Sequence, residues 1–178
     1  MPCHRLFFAL KPPKRQAAAI GRMRDRLGIG KGGVSDERLH STVAITNDYA
    51  ELPAELVATM TEIGNDLASS PFPIALDRLV GGAKSVALRP GKASTPFRDF
   101  QRQLERPMER LRILRTGWTF SPHMTLAYRD GAPFNERVDA IAWDGTEFVL
   151  IHSVVGRTQH IELARWPLVP RQYCLLFN

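Results

Sequence analysis

Three observations predict an α+β fold. Several strand-like segments are joined by turns too short to hold a crossover helix, which excludes an all-parallel doubly wound sheet. Three longer segments read as helices, one from the helical spacing of its apolar residues and two from their start and stop signals. No stretch has the composition of a linker, so residues 1–178 are expected to form one domain. A chain of 178 residues, 44% of them hydrophobic, can bury about 70% of its unfolded surface.

Residues 4–10, His-Arg-Leu-Phe-Phe-Ala-Leu, read as a buried strand. Pro12 and Pro13 then open a helix to about residue 27, because proline suits a helix's first turn; its outer face is basic through Lys14, Arg15, Arg22, Arg24 and Arg26. The glycine-rich residues 28–33 read as a loop, residues 39–46 as a strand, and residues 52–68 as a helix closed by Pro71 and Pro73. Residues 74–80 and 85–88 flank Gly81-Gly82 as a hairpin. A third helix is expected over residues 96–114, where Pro107 should kink or break it. Residues 123–128 read as a strand, residues 148–155 and 158–164 as a second hairpin around Gly156-Arg157, and residues 173–177 as a last short strand.

Lys and Arg number 24 against 18 Asp and Glu, a formal charge of +6 that favours encounters with phosphate-bearing or other acidic partners. Cys3 and Cys174 form neither a CxxC pair nor a disulfide framework, so a reducing, cytoplasmic location is expected. The apolar run at residues 6–10 is too short for a signal-peptide core, and no segment is long enough to span a membrane. Gly28, Gly30 and Gly33 spell GxGxxG but follow a helix where a dinucleotide site needs a strand. In Gly82-Ala83-Lys84-Ser85 a phosphate loop's required glycine is missing, so a Walker site is rejected.

The chemistry lies in a short internal repeat. His40-Ser41-Thr42-Val43-Ala44-Ile45 and His123-Met124-Thr125-Leu126-Ala127-Tyr128 share the pattern His-x-Thr-aliphatic-Ala-apolar. On regular strands, residues two apart share a face about 6–7 Å from one another, so His40, Thr42 and Ala44 should line one face, as should His123, Thr125 and Ala127. If the two strands come side by side, one imidazole can act as general base and the other as general acid near neutral pH. The threonine hydroxyls can hydrogen-bond charge growing on a phosphoryl group. Such a toolkit opens a phosphodiester with neither metal nor cofactor.

With these residues in place, the sequence resembles the two-histidine (2H) phosphoesterases, and more narrowly their RNA 2′,3′-cyclic phosphodiesterase or 2′-5′ RNA ligase branch. Besides the two motifs, the likeness is carried by residues 5–10 with Pro12-Pro13, by Phe120-Ser121-Pro122 ahead of His123, and by Leu163-Ala164-Arg165-Trp166-Pro167-Leu168. The resemblance implies a two-lobed, pseudo-symmetric α+β fold, with antiparallel sheets around a central cleft and helices packed outside. It implies that His40 and Thr42 face His123 and Thr125 across that cleft. The implied reaction is hydrolysis of RNA or nucleotide 2′,3′-cyclic phosphates to 2′-phosphates, with reversible 2′-5′ RNA ligation beside it in some members. The expected division has His123 activating water and His40 protonating the departing 3′ oxygen. Alternatives are cleavage of 2′-5′ linked oligonucleotides or another cyclic phosphate, or a noncatalytic nucleotide- or RNA-binding module.

The chain departs from the family pattern where arginine often follows Leu-Ala in the second motif. Here Tyr128 takes that place and Arg129 comes one later; on a regular strand Arg129 would share the His123 face and hold a phosphate. Phe8 reads either as core or as a base-stacking surface at the cleft rim, and Trp118 and Phe120 pose the same choice. His152 and His160 read as hydrogen-bonding or exposed hairpin residues rather than metal ligands. Arg98, Arg102, Arg106 and Arg110 recur every four residues, either a solvated helix face or a track for an RNA backbone. RNA ends or cyclic nucleotides are the expected partners; no obligatory protein partner is implied, and a monomer is expected.

Overall fold

Among the described residues, 3–28, 32–92 and 94–170 of a computed structural model, eight strands and three α-helices follow one another. They are β1 Cys3–Leu10, α1 Lys14–Arg26, β2 Ser41–Ile45, α2 Ala54–Asp66, β3 Phe72–Gly81, β4 Ser85–Arg89, α3 Thr95–Arg110, β5 Met124–Tyr128, β6 Phe134–Gly145, β7 Glu147–Val155 and β8 Gln159–Pro167. The strands form two antiparallel sheets in the orders β2-β1-β7-β8 and β5-β4-β3-β6. Each sheet therefore carries one motif strand at its edge, which is the pseudo-symmetry the resemblance implied.

Period-two alternation divides each sheet into a core face and a cleft face. On β1, Leu6, Phe8 and Leu10 join Phe148 and Leu150 of β7 in the core. The second sheet adds Phe72, Ile74, Leu76, Leu79, Leu88 and Met124, and the helices cover them with Ile20, Met60, Phe100, Leu104 and Met108. On the opposite face of the first sheet, Phe7, Ala9, Ile45, Val149 and Ile151 form a small separate cluster against which Trp118 packs. Phe8 is fully buried between Phe148 and Trp166, so it is core and cannot stack on a substrate base. Phe120 also packs against the core, edge-on to Phe97.

Both glycine hairpins form where expected, and α1 ends where Gly28 adopts φ +62°, a left-handed conformation glycine takes without strain. The third helix keeps Pro107 inside it and stops within one turn, at Arg110. Strand β6 has no counterpart in the sequence expectation. Most of its residues are exposed and five of them are charged or polar, because it is the sheet's outer strand and buries only Trp143 and Gly145. The expected strand at residues 173–177 lies outside the described residues. No helix among the described residues is long and apolar enough to cross a membrane.

Candidate active site

Strands β2 and β5 touch where the two sheets meet, and each closes the other's exposed edge indirectly. The segment leading to β2 reaches across so that Val34 N donates to the Leu126 carbonyl (2.8 Å). The segment leading to β5 returns the exchange, with Arg115 N donating to the Ile45 carbonyl (2.8 Å). A misplaced motif would therefore disturb its counterpart.

The two motifs share one backbone device. In the β1–β2 ladder, Phe8 pairs with Ala44 and Ala9 with Thr42, leaving Val43 as a bulge; in the β4–β5 ladder, Val86 pairs with Ala127 and Ala87 with Thr125, leaving Leu126 as a bulge. A bulge resets the alternation of faces. Ala44 consequently turns into the core beside Val43, and Ile45 takes the cleft face, contrary to the regular-strand expectation. The same reset puts Tyr128, 63% exposed, on the cleft face and turns Arg129 away from it. Arg129 thus does not share the His123 face; it is exposed, with its backbone N–H on the Lys84 carbonyl.

His40 and His123 precede their strands in matching geometry. His40 Nδ1 lies 2.7 Å from the Arg38 carbonyl, and His123 Nδ1 lies 2.7 Å from the Ser121 carbonyl. A carbonyl can only accept, so each Nδ1 carries the proton and each Nε2 is the nitrogen left for chemistry. Thr42 and Thr125 are half-buried on the same faces as their histidines. The side chains around the two imidazoles differ. His40 stacks on Phe7 (centroids 5.0 Å) and meets His160 edge-on (5.1 Å). Burial, with the like charges of His123, Arg38 and Lys11, pushes its pKa below the ordinary value even though the Arg38 carbonyl favours the proton.

His160 comes to the site because β8 lies in the same sheet as β2. Its pKa is pushed down to about 4 by burial and by His40, Arg38 and Lys11, and its Nδ1 is buried without a hydrogen-bond partner. Together with Lys11, Glu37, Arg38, Ile151 and Glu162, His40 and His160 line a cavity of about 230 Å³. A larger groove of about 570 Å³ runs past the start of α1 and meets this cavity at Lys11 and Glu37. It contains neither motif histidine, so the chemistry assigns the smaller cavity. Phe7, Lys11 and Arg38 escape sequence reasoning, and His160, read there as a hydrogen-bonding or exposed hairpin residue, instead lines the cavity with its Nδ1 buried and unpartnered. Only the sheet order, which sequence spacing does not encode, brings β1, β8 and the turn before β2 together.

The other singled-out residues fall elsewhere. His152 bonds His4 (2.8 Å) at the far end of β1, and Trp118 borders the cleft-face cluster. Arg24 is not part of a free basic face; it donates to the Val34 carbonyl and pairs with Asp25 and Asp36. The arginines of α3 are exposed, while the helix buries Phe97, Phe100, Leu104 and Met108 against the core side of the sheet. Among the described residues, no group of three or more His, Cys, Asp or Glu is placed to hold a metal ion.

Two antiparallel sheets, each with a His-x-Thr strand at its edge, make up a 2H phosphoesterase fold. Residues 12–157 match the family model of the 2′-5′ RNA ligase superfamily, and the chain belongs to that family. No curated protein matches the chain. Among solved structures, E. coli LigT complexed with 3′-AMP is similar at TM-score 0.78 and 22% identity, over 94% of this chain and 99% of that one. TT0787 of Thermus thermophilus is similar at TM-score 0.75 and 23% identity, over 93% and 98%. The MHV ns2 PDE domain is more distant, at TM-score 0.50 and 16% identity, over 82% and 98%.

Proposed function

We propose that this protein hydrolyses RNA or nucleotide 2′,3′-cyclic phosphates to 2′-phosphates, and joins RNA ends reversibly through a 2′-5′ bond when a 5′-hydroxyl takes the place of water. The observation that carries the reading is the matched pair of imidazoles, each fixed through Nδ1 with Nε2 free, each beside a threonine on the same face. The crystal complexes of LigT with 3′-AMP and with phosphate support a phosphate-bearing nucleotide as ligand.

Water adds to phosphorus and gives its proton to one imidazole while the P–O3′ bond breaks. The other imidazole protonates the departing 3′ oxygen, and the phosphate remains on O2′. Thr42 and Thr125 hydrogen-bond the non-bridging oxygens as their charge grows. The lowered basicity of His40 supports the reverse of the division expected from sequence. Held neutral in the free protein, His40 is the base that takes the proton from water, and His123 is the acid.

The test is turnover of a 2′,3′-cyclic nucleotide in EDTA by wild type, His40→Ala and His123→Ala. Each substitution should cost on the order of 10²- to 10⁴-fold in kcat. Undiminished turnover in both variants would sink the assignment.

A further inference from the structure

Beside His123, the register of the second sheet lines up arginines across successive strands. Leu88 of β4 pairs with Met124 of β5, so the next position in the ladder sets Arg89 opposite His123. Arg89 pairs with Arg78 of β3, and Arg78 pairs with Arg137 of the edge strand β6. Residues directly opposite in an antiparallel ladder project from the same face. Leu88 and Met124 are fully buried in the core, so Arg89 and His123 share the opposite, cleft face. The adjoining row is consistent: Thr125 pairs with Ala87 and Ala87 with Val80, uncharged residues next to the basic row.

We propose that Arg89, Arg78 and Arg137 form a cross-strand track for the RNA phosphates that adjoin the reacting one, running from His123 to the outer edge of the second sheet. The proposal rests on the reading of the site as an RNA phosphodiesterase and names how the rest of the strand is held. Neighbouring strands are about 4.8 Å apart, so the row extends about 14 Å from His123. Like charges directly opposite one another are destabilising unless something neutralises them. None of the three forms an ion pair among the described residues. The nearby Asp77 is engaged by Gly91 N and Asp130 by Lys84. Arg89 donates through Nη1 to Ser121 Oγ (2.8 Å), and its Nε is buried with no partner. Ser121 is the residue whose carbonyl fixes His123, so a phosphate on Arg89 bears on the orientation of the imidazole. The stripe of α3 offers a competing track, but its arginines lie on the exposed face of the helix, opposite the face that packs on the core.

The experiment compares Arg78→Gln and Arg89→Gln with wild type, using a 2′,3′-cyclic mononucleotide and a short oligoribonucleotide ending in the same cyclic phosphate over a range of salt. Each variant should lower the oligonucleotide-to-mononucleotide ratio of kcat/KM about 3- to 10-fold. Each should also make the logarithmic salt dependence of oligonucleotide binding shallower by about 0.7. Arg102→Gln on α3 should change neither quantity. An unchanged ratio and salt slope in both cleft variants, beside normal wild-type hydrolysis, would overturn the track and leave the proposed activity standing. Anisotropy with a non-cleavable single strand reads the track even if wild type hydrolyses neither substrate. Weaker binding by Arg78→Gln then supports it, and equal binding overturns it.

Discussion

Replacing His160 by phenylalanine keeps a ring against Phe7 and His40 and removes one titrating group, which isolates what that imidazole costs the folded state. In the unfolded chain the ring takes its proton near the ordinary value of 6.5, whereas in the folded protein it does so only at about 4. Between those values the unfolded state binds more protons, so stability falls as pH falls through the window and levels off below it. The full difference corresponds to about 3.4 kcal/mol, and solvent reaching the half-buried ring screens it to about 1–2 kcal/mol. Urea unfolding at pH 7.5 and pH 4.5 reads the effect, with carboxylate titration common to both proteins. Wild type should lose about 1–2 kcal/mol more than His160→Phe between the two pH values. At pH 7.5 the variant should be at least as stable, because the unpartnered Nδ1 is gone. Equal losses in the two proteins would refute the argument that His160 is held neutral.

The acid–base assignment has its own test: a phosphodiester with a nitrophenolate leaving group needs no acid, so it should restore most of the turnover of His123→Ala and little of that of His40→Ala. The opposite pattern would reverse the roles. At Gly64, near the end of α2, a β-carbon would lie 2.5 Å from the Trp166 ring, which stacks on Phe148 at 5.0 Å and donates Nε1–H to Asn65. Gly64→Ala should gain about 1 kcal/mol of helix propensity and lose about 1–3 kcal/mol to overpacking. A melting temperature a few degrees lower is expected, and an unchanged or higher one would show that Trp166 is not fixed there.

Much of the architecture is legible in the sequence because local chemistry decides it. Gly81-Gly82 and Gly156-Arg157 place both hairpins, Pro12-Pro13 announces α1, and the repeated His-x-Thr frame marks the two motif strands. What is not legible comes from tertiary context. Strand β6 hides because an outer strand buries little and its residues need not be apolar. The residues facing the cleft are misjudged wherever a bulge intervenes, since one extra residue exchanges the faces. That is why Ala44 enters the core and Arg129 turns away from His123. Period-two logic alone leaves open which side of β1 is which; the structure puts Phe8 in the core and Phe7 on His40.

The two halves of the site are alike in backbone and unlike in surroundings, and that combination is what proton transfer in opposite directions requires. Matching bulges and matching Nδ1–carbonyl bonds present the two Nε2 atoms equivalently, so geometry by itself would make the histidines interchangeable. Their neighbours break the equivalence. The strand beside each motif carries a cation across the ladder, Lys11 opposite His40 and Arg89 opposite His123, as the registers require. Lys11 is 3.6 Å from Glu162, whereas Arg89 has no acidic partner among the described residues and a buried Nε without one. His40 lies under Phe7 and His160, where burial disfavours its proton. In the proposed reaction, a phosphodiester entering between them meets its unpaired cation on the His123 side and a neutral imidazole on the other. The fold supplies two equivalent frames, and in the proposed reaction the residues that differ between them set the direction in which the proton moves.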